Sequence, residues 1–115
     1  MPSHDYIKLF GDYKDFPHPG IIFRDISPLI SHPVAFKAAI KEMAEPFLDS
    51  EIDQVVSLES RGFIIGSPMA LELDAGFVPI RKAGKLPGKT LQAKYSLEYG
   101  DSIIELKTGI LKHGH

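Results

Sequence analysis

The chain has 115 residues, 43% apolar and 24% charged, with a formal net charge of −2 and no cysteine. This is globular composition at a length that buries about two-thirds of the surface an unfolded chain exposes. It leaves no disulfide or thiolate chemistry and gives no reason to expect a nucleic-acid partner. No apolar run approaches a membrane span of roughly 18 residues, and Met1-Pro-Ser-His-Asp5 lacks the pattern of a secretory leader. The expectation is a single cytoplasmic domain, residues 1–115, short for an α/β enzyme.

In chain order, residues 4–10 could form one helical turn. Residues 15–20, Asp-Phe-Pro-His-Pro-Gly, cannot be regular structure. A brief extended run, Ile21-Ile22-Phe23, leads into Arg24-Asp25-Ile26-Ser27-Pro28, a plausible ligand wall. The first helix is predicted from about Pro33 to Leu48, capped by Ser31 or His32. Its core stripe is read as Val34, Phe36, Ile40, Met43 and Phe47. Asp53 to Leu58 reads as a buried strand, followed by Glu59-Ser60-Arg61-Gly62-Phe63 and a helix to about Leu73. Pro68 is expected to loosen that helix near its start and Gly76 to stop it. Phe77 to Ile80 is a second strand, so the segment is a βαβ unit with parallel strands. Tyr95–Tyr99 and Ile103–Lys107 read as an antiparallel hairpin turning at Gly100-Asp101-Ser102.

Charge is uneven along this order. Residues 1–80 carry a net −6, residues 81–94 a net +5 with no acid, and residues 95–115 a net −1. The basic run, Arg81, Lys82, Lys85, Lys89 and Lys94, suits a phosphorylated small molecule; a solvated loop with chance clustering is the alternative.

Three motifs bear on chemistry. Gly84-Lys-Leu-Pro-Gly88-Lys89-Thr90 imitates a P-loop but is one residue short and precedes strand-like sequence, so nucleotide triphosphatase activity is rejected. The Glu59–Phe63 segment lies at the carboxyl end of a strand and opens a helix, where open α/β sheets bind ligands. There Arg61 and helix-start N–H groups would hold a phosphate, or Arg61 would merely pair with Glu59 or Glu72. The five histidines, at 4, 18, 32, 113 and 115, have no zinc-ligand spacing, and no protein metal site is expected.

Four segments together resemble the adenine phosphoribosyltransferases of the wider purine/pyrimidine phosphoribosyltransferase family. They are Phe16-Pro-His-Pro-Gly-Ile-Ile-Phe-Arg-Asp-Ile-Ser-Pro28, Glu59-Ser-Arg-Gly-Phe63, Val78-Pro-Ile-Arg-Lys-Ala-Gly-Lys-Leu-Pro-Gly88 and Tyr95-Ser-Leu-Glu-Tyr-Gly100. The resemblance implies an α/β phosphoribosyltransferase-type parallel sheet with flanking helices and an antiparallel hood hairpin. It implies transfer of ribose 5-phosphate from phosphoribosyl pyrophosphate to adenine, giving AMP and pyrophosphate in purine salvage, with Mg²⁺ carried by the pyrophosphate. A homodimer is also implied.

By position, Ile22 and Arg24 match adenine-pocket residues, and Glu59, Ser60 and Arg61 match the pyrophosphate loop. Arg81, Lys82 and Lys85 match basic residues that meet pyrophosphate. Glu98 and Tyr99 match the catalytic tip of a flexible hood over residues 85–100, with Arg61 a third catalytic candidate. Glu98 would take the N9 proton or orient adenine, or else pair with Lys85 or Lys94. The family's acidic strand and Thr/Gly-rich ribose-phosphate loop do not occur within these 115 residues. The expectation is therefore an incomplete domain with its C-terminal strands missing. The alternative reading is a non-catalytic adenine- or phosphate-binding module.

Overall fold

The computed structural model describes residues 9–97 and 100–112, and the chain divides into two compact units after Pro46.

In the first unit, β1 (Gly11–Lys14) and β2 (Ile22–Asp25) pair antiparallel, from Gly11 opposite Asp25 to Lys14 opposite Ile22. The Pro-rich segment is the loop of this hairpin. The Asp15 carboxylate accepts the Gly20 N–H at 2.8 Å, and the Phe16 N–H reaches the Ile21 carbonyl at 3.2 Å. Gly20 sits at φ +85°, a conformation that costs glycine little. Phe16 and Phe23 meet edge to face, centroids 5.3 Å apart. The sequence marked 15–20 as irregular but gave no sign of β1, whose four residues carry no strand pattern. Of the turn expected at 4–10, only Leu9 and Phe10 lie within the described residues.

A short helix α1 (Ser27–Ile30) starts where Asp25 Oδ1 accepts from both the backbone N–H and the hydroxyl of Ser27. Helix α2 (Pro33–Ala44) follows, and a 3₁₀ turn over Glu45–Phe47 takes the place of the predicted run to Leu48. Pro46 lacks the N–H that a further α turn would need. His32 is the cap: its Nδ1 accepts the Ala35 N–H at 3.1 Å. The predicted core stripe needs correction. Ile40 is buried, but Val34 is 64% exposed, and Met43 and Phe47 are also exposed. The buried face runs through Ala35, Ala39, Ile40 and Ala44. Two apolar stripes overlap on this helix, and the alanine-rich one is the side covered by packing.

In the second unit, β3 (Gln54–Leu58) and β4 (Gly76–Lys82) are parallel, in register from Gln54 opposite Gly76 to Leu58 opposite Ile80. Helix α3 (Arg61–Glu72) connects them, as the βαβ reading required. It packs tightly because Gly66 has no side chain; a Cβ there would collide with Ser57 and come within 2.8 Å of the Phe77 ring. Phe63 and Phe77 stack edge to face at 5.7 Å, and Ala70 and Val78 are buried.

Two details differ from expectation. Pro68 is the eighth of the twelve residues of α3, well inside the helix. Gly76 opens β4 and does not stop α3. The stop is a Schellman-type turn: Ala75 N–H reaches the Ala70 carbonyl at 2.8 Å, Asp74 N–H reaches that of Leu71, and Asp74 takes φ +52°. Aspartate is among the few side chains that adopt this conformation readily.

The remaining strands, β5 (Thr90–Leu97) and β6 (Gly100–Lys107), form an antiparallel hairpin in which the last described pair is Leu97 opposite Gly100. Gly100-Asp101-Ser102, expected as the turn, are therefore the first residues of β6. The hairpin is part of the main sheet. β6 pairs antiparallel with β4 at Arg81–Glu105 and Lys82–Ile104, giving the order β3-β4-β6-β5. The architecture is mixed α/β, with the parallel pair β3–β4 at one side of the sheet and the antiparallel strands at the other. No helix among the described residues is long and apolar enough to cross a membrane.

Candidate functional site

The chain leaves the carboxyl end of β3 at Leu58 and enters α3 at Arg61, so Glu59 and Ser60 form the junction. The Glu59–Ser60 peptide is cis, and the Glu59 N–H is held by the Ile80 carbonyl at 2.9 Å. Ser60 occupies the N-cap position of α3, but its hydroxyl makes no capping bond. Arg61 is the first helical residue, and its side chain is exposed. The helix start and its N–H groups stand beside it.

Glu59 organises this corner. Its Oε1 accepts the Lys82 backbone N–H at 2.7 Å and Arg81 Nε at 3.3 Å, while Oε2 accepts Lys85 Nζ at 2.6 Å. The side chain is only 11% exposed. The hydrogen bond from Lys85, then that from the Lys82 N–H, pull its carboxyl down to a pKa of about 2; desolvation works against them, and the charges of Lys85 and Arg81 add to the shift. Glu59 thus stays ionised and fastens Arg81, Lys82 and Lys85 next to the start of α3. Its own oxygens are engaged with these donors, so it positions the cationic turn. The Lys82 side chain is exposed.

The far side of the turn is held by Glu105 in β6, which the sequence did not single out. Its Oε1 accepts the Gly84 N–H at 2.6 Å; its Oε2 accepts the Thr90 hydroxyl and Gln92 Nε2, the latter at 3.1 Å. Nothing in Ile103-Ile-Glu-Leu-Lys107 distinguishes Glu105 from an ordinary solvent-facing strand residue. The P-loop imitation is this same turn. It runs into β5, and the Thr90 hydroxyl is given to Glu105.

Two further site residues lie in the first unit. Ile22 and Arg24 share a face of β2, two residues apart. Ile22 is 60% exposed, and Arg24 lies 3.8 Å from Asp12 across the hairpin. Tyr13, Phe16 and Phe23 line an apolar cleft of about 190 Å³ in the same unit. Glu98 and Tyr99 lie outside the described residues. Among the described residues no group of three or more His, Asp or Glu side chains could hold a metal ion.

A parallel βαβ unit, a cationic turn at the end of its second strand and an antiparallel hairpin built on that strand define a phosphoribosyltransferase-type domain. No family model matches the chain. It is 53% identical over 103 residues to an adenine phosphoribosyltransferase of Thermobifida fusca (strain YX), covering 90% of this chain and 58% of that relative. The crystal structure of the adenine phosphoribosyltransferase of Rhodothermus marinus DSM 4252 superposes with a TM-score of 0.87 at 47% identity, covering 96% of this chain and 63% of that one. The APRTase of Giardia lamblia, solved in complex with 9-deazaadenine, superposes with a TM-score of 0.88 at 41% identity, covering 98% and 64%. The chain is a partial, adenine-phosphoribosyltransferase-like sequence, and it spans about three-fifths of the length of these relatives.

Proposed function

We propose that this chain supplies the adenine-binding and pyrophosphate-binding portions of an adenine phosphoribosyltransferase. The reaction breaks the bond from ribose C1 to pyrophosphate oxygen, forms the bond from C1 to adenine N9, and releases the N9 proton, giving AMP and pyrophosphate. The observation that carries the reading is the cationic turn Arg81–Lys85, fastened by Glu59 beside the first residues of α3.

Each residue has a task in that chemistry. As C1 gains oxocarbenium character, negative charge grows on the departing pyrophosphate. Arg61, Lys82 and the α3 N–H groups stabilise that charge in place. Arg81 and Lys85 add to the local positive field while Glu59 fixes their direction. Ser60 offers a hydroxyl that α3 does not use as a cap. Ile22 and Arg24 present an apolar side chain and backbone groups to the purine. Glu98 accepts the N9 proton or orients adenine, and Tyr99 helps close the site against water. Phosphoribosyl pyrophosphate enters as its magnesium complex, with the metal on the substrate's oxygens. The setting proposed is cytoplasmic purine salvage by a homodimer.

The test is formation of AMP from labelled adenine and phosphoribosyl pyrophosphate, alongside calorimetric binding of adenine and of magnesium pyrophosphate. Turnover supports the transferase. Binding of both ligands without turnover identifies a binding portion. Failure to bind either ligand overturns the reading.

A further inference from the structure

Glu105 is a buried acid that the mechanism above does not use. It is 6% exposed, in the middle of the antiparallel part of the sheet, with Arg81 of β4 on one side and Gln92 of β5 on the other. Its carboxylate faces into the mouth of the cationic turn. The donors it receives there, the Gly84 N–H, the Thr90 hydroxyl and the Gln92 amide, are all neutral. They hold its carboxyl below the usual range, Thr90 contributing most, so it carries its charge at neutral pH. Withdrawing a charge from water against neutral donors alone is an expensive way to fill a sheet position that an aliphatic residue would fill as well. What the carboxylate does, and an aliphatic residue could not, is bind Gly84 and Thr90 at once. Those two residues bracket Lys85–Lys89.

We propose that Glu105 is a positioning residue for anion binding: it staples the two ends of the cationic turn together, so that Lys82 and Lys85 stand in one arrangement before a pyrophosphate arrives. Glu59 fixes the turn at Lys82 and Lys85, Glu105 fixes it at Gly84 and Thr90, and between them the backbone has little freedom left to lose on binding. The proposal rests on reading the turn as a pyrophosphate subsite.

The experiment uses the whole chain, with magnesium pyrophosphate as the probe in calorimetry and amide hydrogen exchange as the structural readout. Glu105→Ala is expected to weaken pyrophosphate binding about tenfold, to speed exchange at Gly84, and to leave adenine binding unchanged. Glu105→Gln keeps an acceptor for the Gly84 N–H and is expected to recover most of the affinity. A residue that only supported the sheet would instead lower the amount of competent protein and affect both ligands alike. Should Glu105→Ala fail to fold, Thr90→Val removes one arm of the staple and is expected to cost about threefold in pyrophosphate affinity alone. Pyrophosphate affinity within twofold of wild type in Glu105→Ala, or in Thr90→Val where it replaces that variant, overturns the role of Glu105. A wild-type chain that binds adenine but no pyrophosphate overturns the subsite reading itself, and the proposal with it.

Discussion

The loop of the β1–β2 hairpin and the turn after β4 are both expected to face ligand, yet they are held by different forces. The first is shaped by backbone restriction and aromatic contact: two prolines, a glycine at φ +85°, and the edge-to-face pair Phe16–Phe23. The second is shaped by two carboxylates, Glu59 and Glu105, which draw backbone N–H groups and side-chain donors inward. A wall made by sterics suits a flat, uncharged base. A turn made by charge suits a polyanion, and it should answer to salt more than the wall, whose loop uses one carboxylate, Asp15, on the Gly20 N–H.

That contrast can be attacked at several points. The largest expected effect is at Arg61. Arg61→Ala should weaken pyrophosphate binding roughly tenfold to a hundredfold, the range of lost charge-assisted hydrogen bonds, and barely touch adenine binding. Calorimetry with the two ligands separately decides it, and equal loss of both would erase the division of labour.

Gly66→Ala strikes the contact between α3 and the sheet. The added methyl meets Ser57 and Phe77, so the variant should lose about 2 kcal/mol of stability in urea unfolding. An unchanged midpoint would mean that α3 does not press on the sheet as described.

Glu59→Gln keeps an acceptor for the Lys82 N–H but removes the charge facing Arg81 and Lys85. Pyrophosphate affinity should fall about fivefold, with adenine affinity unaltered.

Acid should act on the same clamp without mutation. The Glu59 carboxyl is lowered from 4.5 to about 2, so its contribution is fully present above pH 4.5 and is lost as the pH falls through 2. The Lys82 amide resonance, followed from pH 5 downward, should shift with a midpoint near 2. A midpoint near 4.5 would show an unclamped carboxylate.

The smallest effect is expected at Ile22. Ile22→Ala trims exposed apolar surface from the wall and should cost about threefold in adenine affinity, with no change for pyrophosphate.

Much of this arrangement was legible in the sequence. Gln54–Leu58, the run through α3 and Phe77–Ile80 declare a βαβ unit because their periodicities differ and their partners are close along the chain. The cationic turn is visible as five basic residues without an acid. What stayed hidden depends on distant partners. Glu105 reads as one more polar residue in an alternating strand until β4 and β5 flank it. The buried face of α2 could not be chosen from pattern alone, because Val34–Met43–Phe47 and Ala35–Ala39–Ala44 both keep helical spacing. Strand β1 exists because β2 folds back on it; Gly-Asp-Tyr-Lys has little strand tendency of its own. The Glu59 carboxylate was foreseen as a ligand contact, but its donors lie more than twenty residues away, so its function as a fastener had no local signal.

The way β4 changes partners carries a mechanical consequence. Gly76–Ile80 pair with β3, and only Arg81 and Lys82 pair with β6. The β5–β6 ladder, eight residue pairs long, therefore joins the rest of the sheet through two pairs that sit inside it, at Ile104 and Glu105. Four ladder pairs, Ile103–Lys94 to Gly100–Leu97, lie beyond that join; at about 3.4 Å per residue they make an arm of roughly 14 Å, so a tilt of about 10° at the join carries its end through about 2 Å. The lysine that lies at the pivot, Lys82, hardly moves in such a tilt. On the proposed reading, binding and sweep are thereby geared apart, with the anion contact on the axle and the larger travel at the rim.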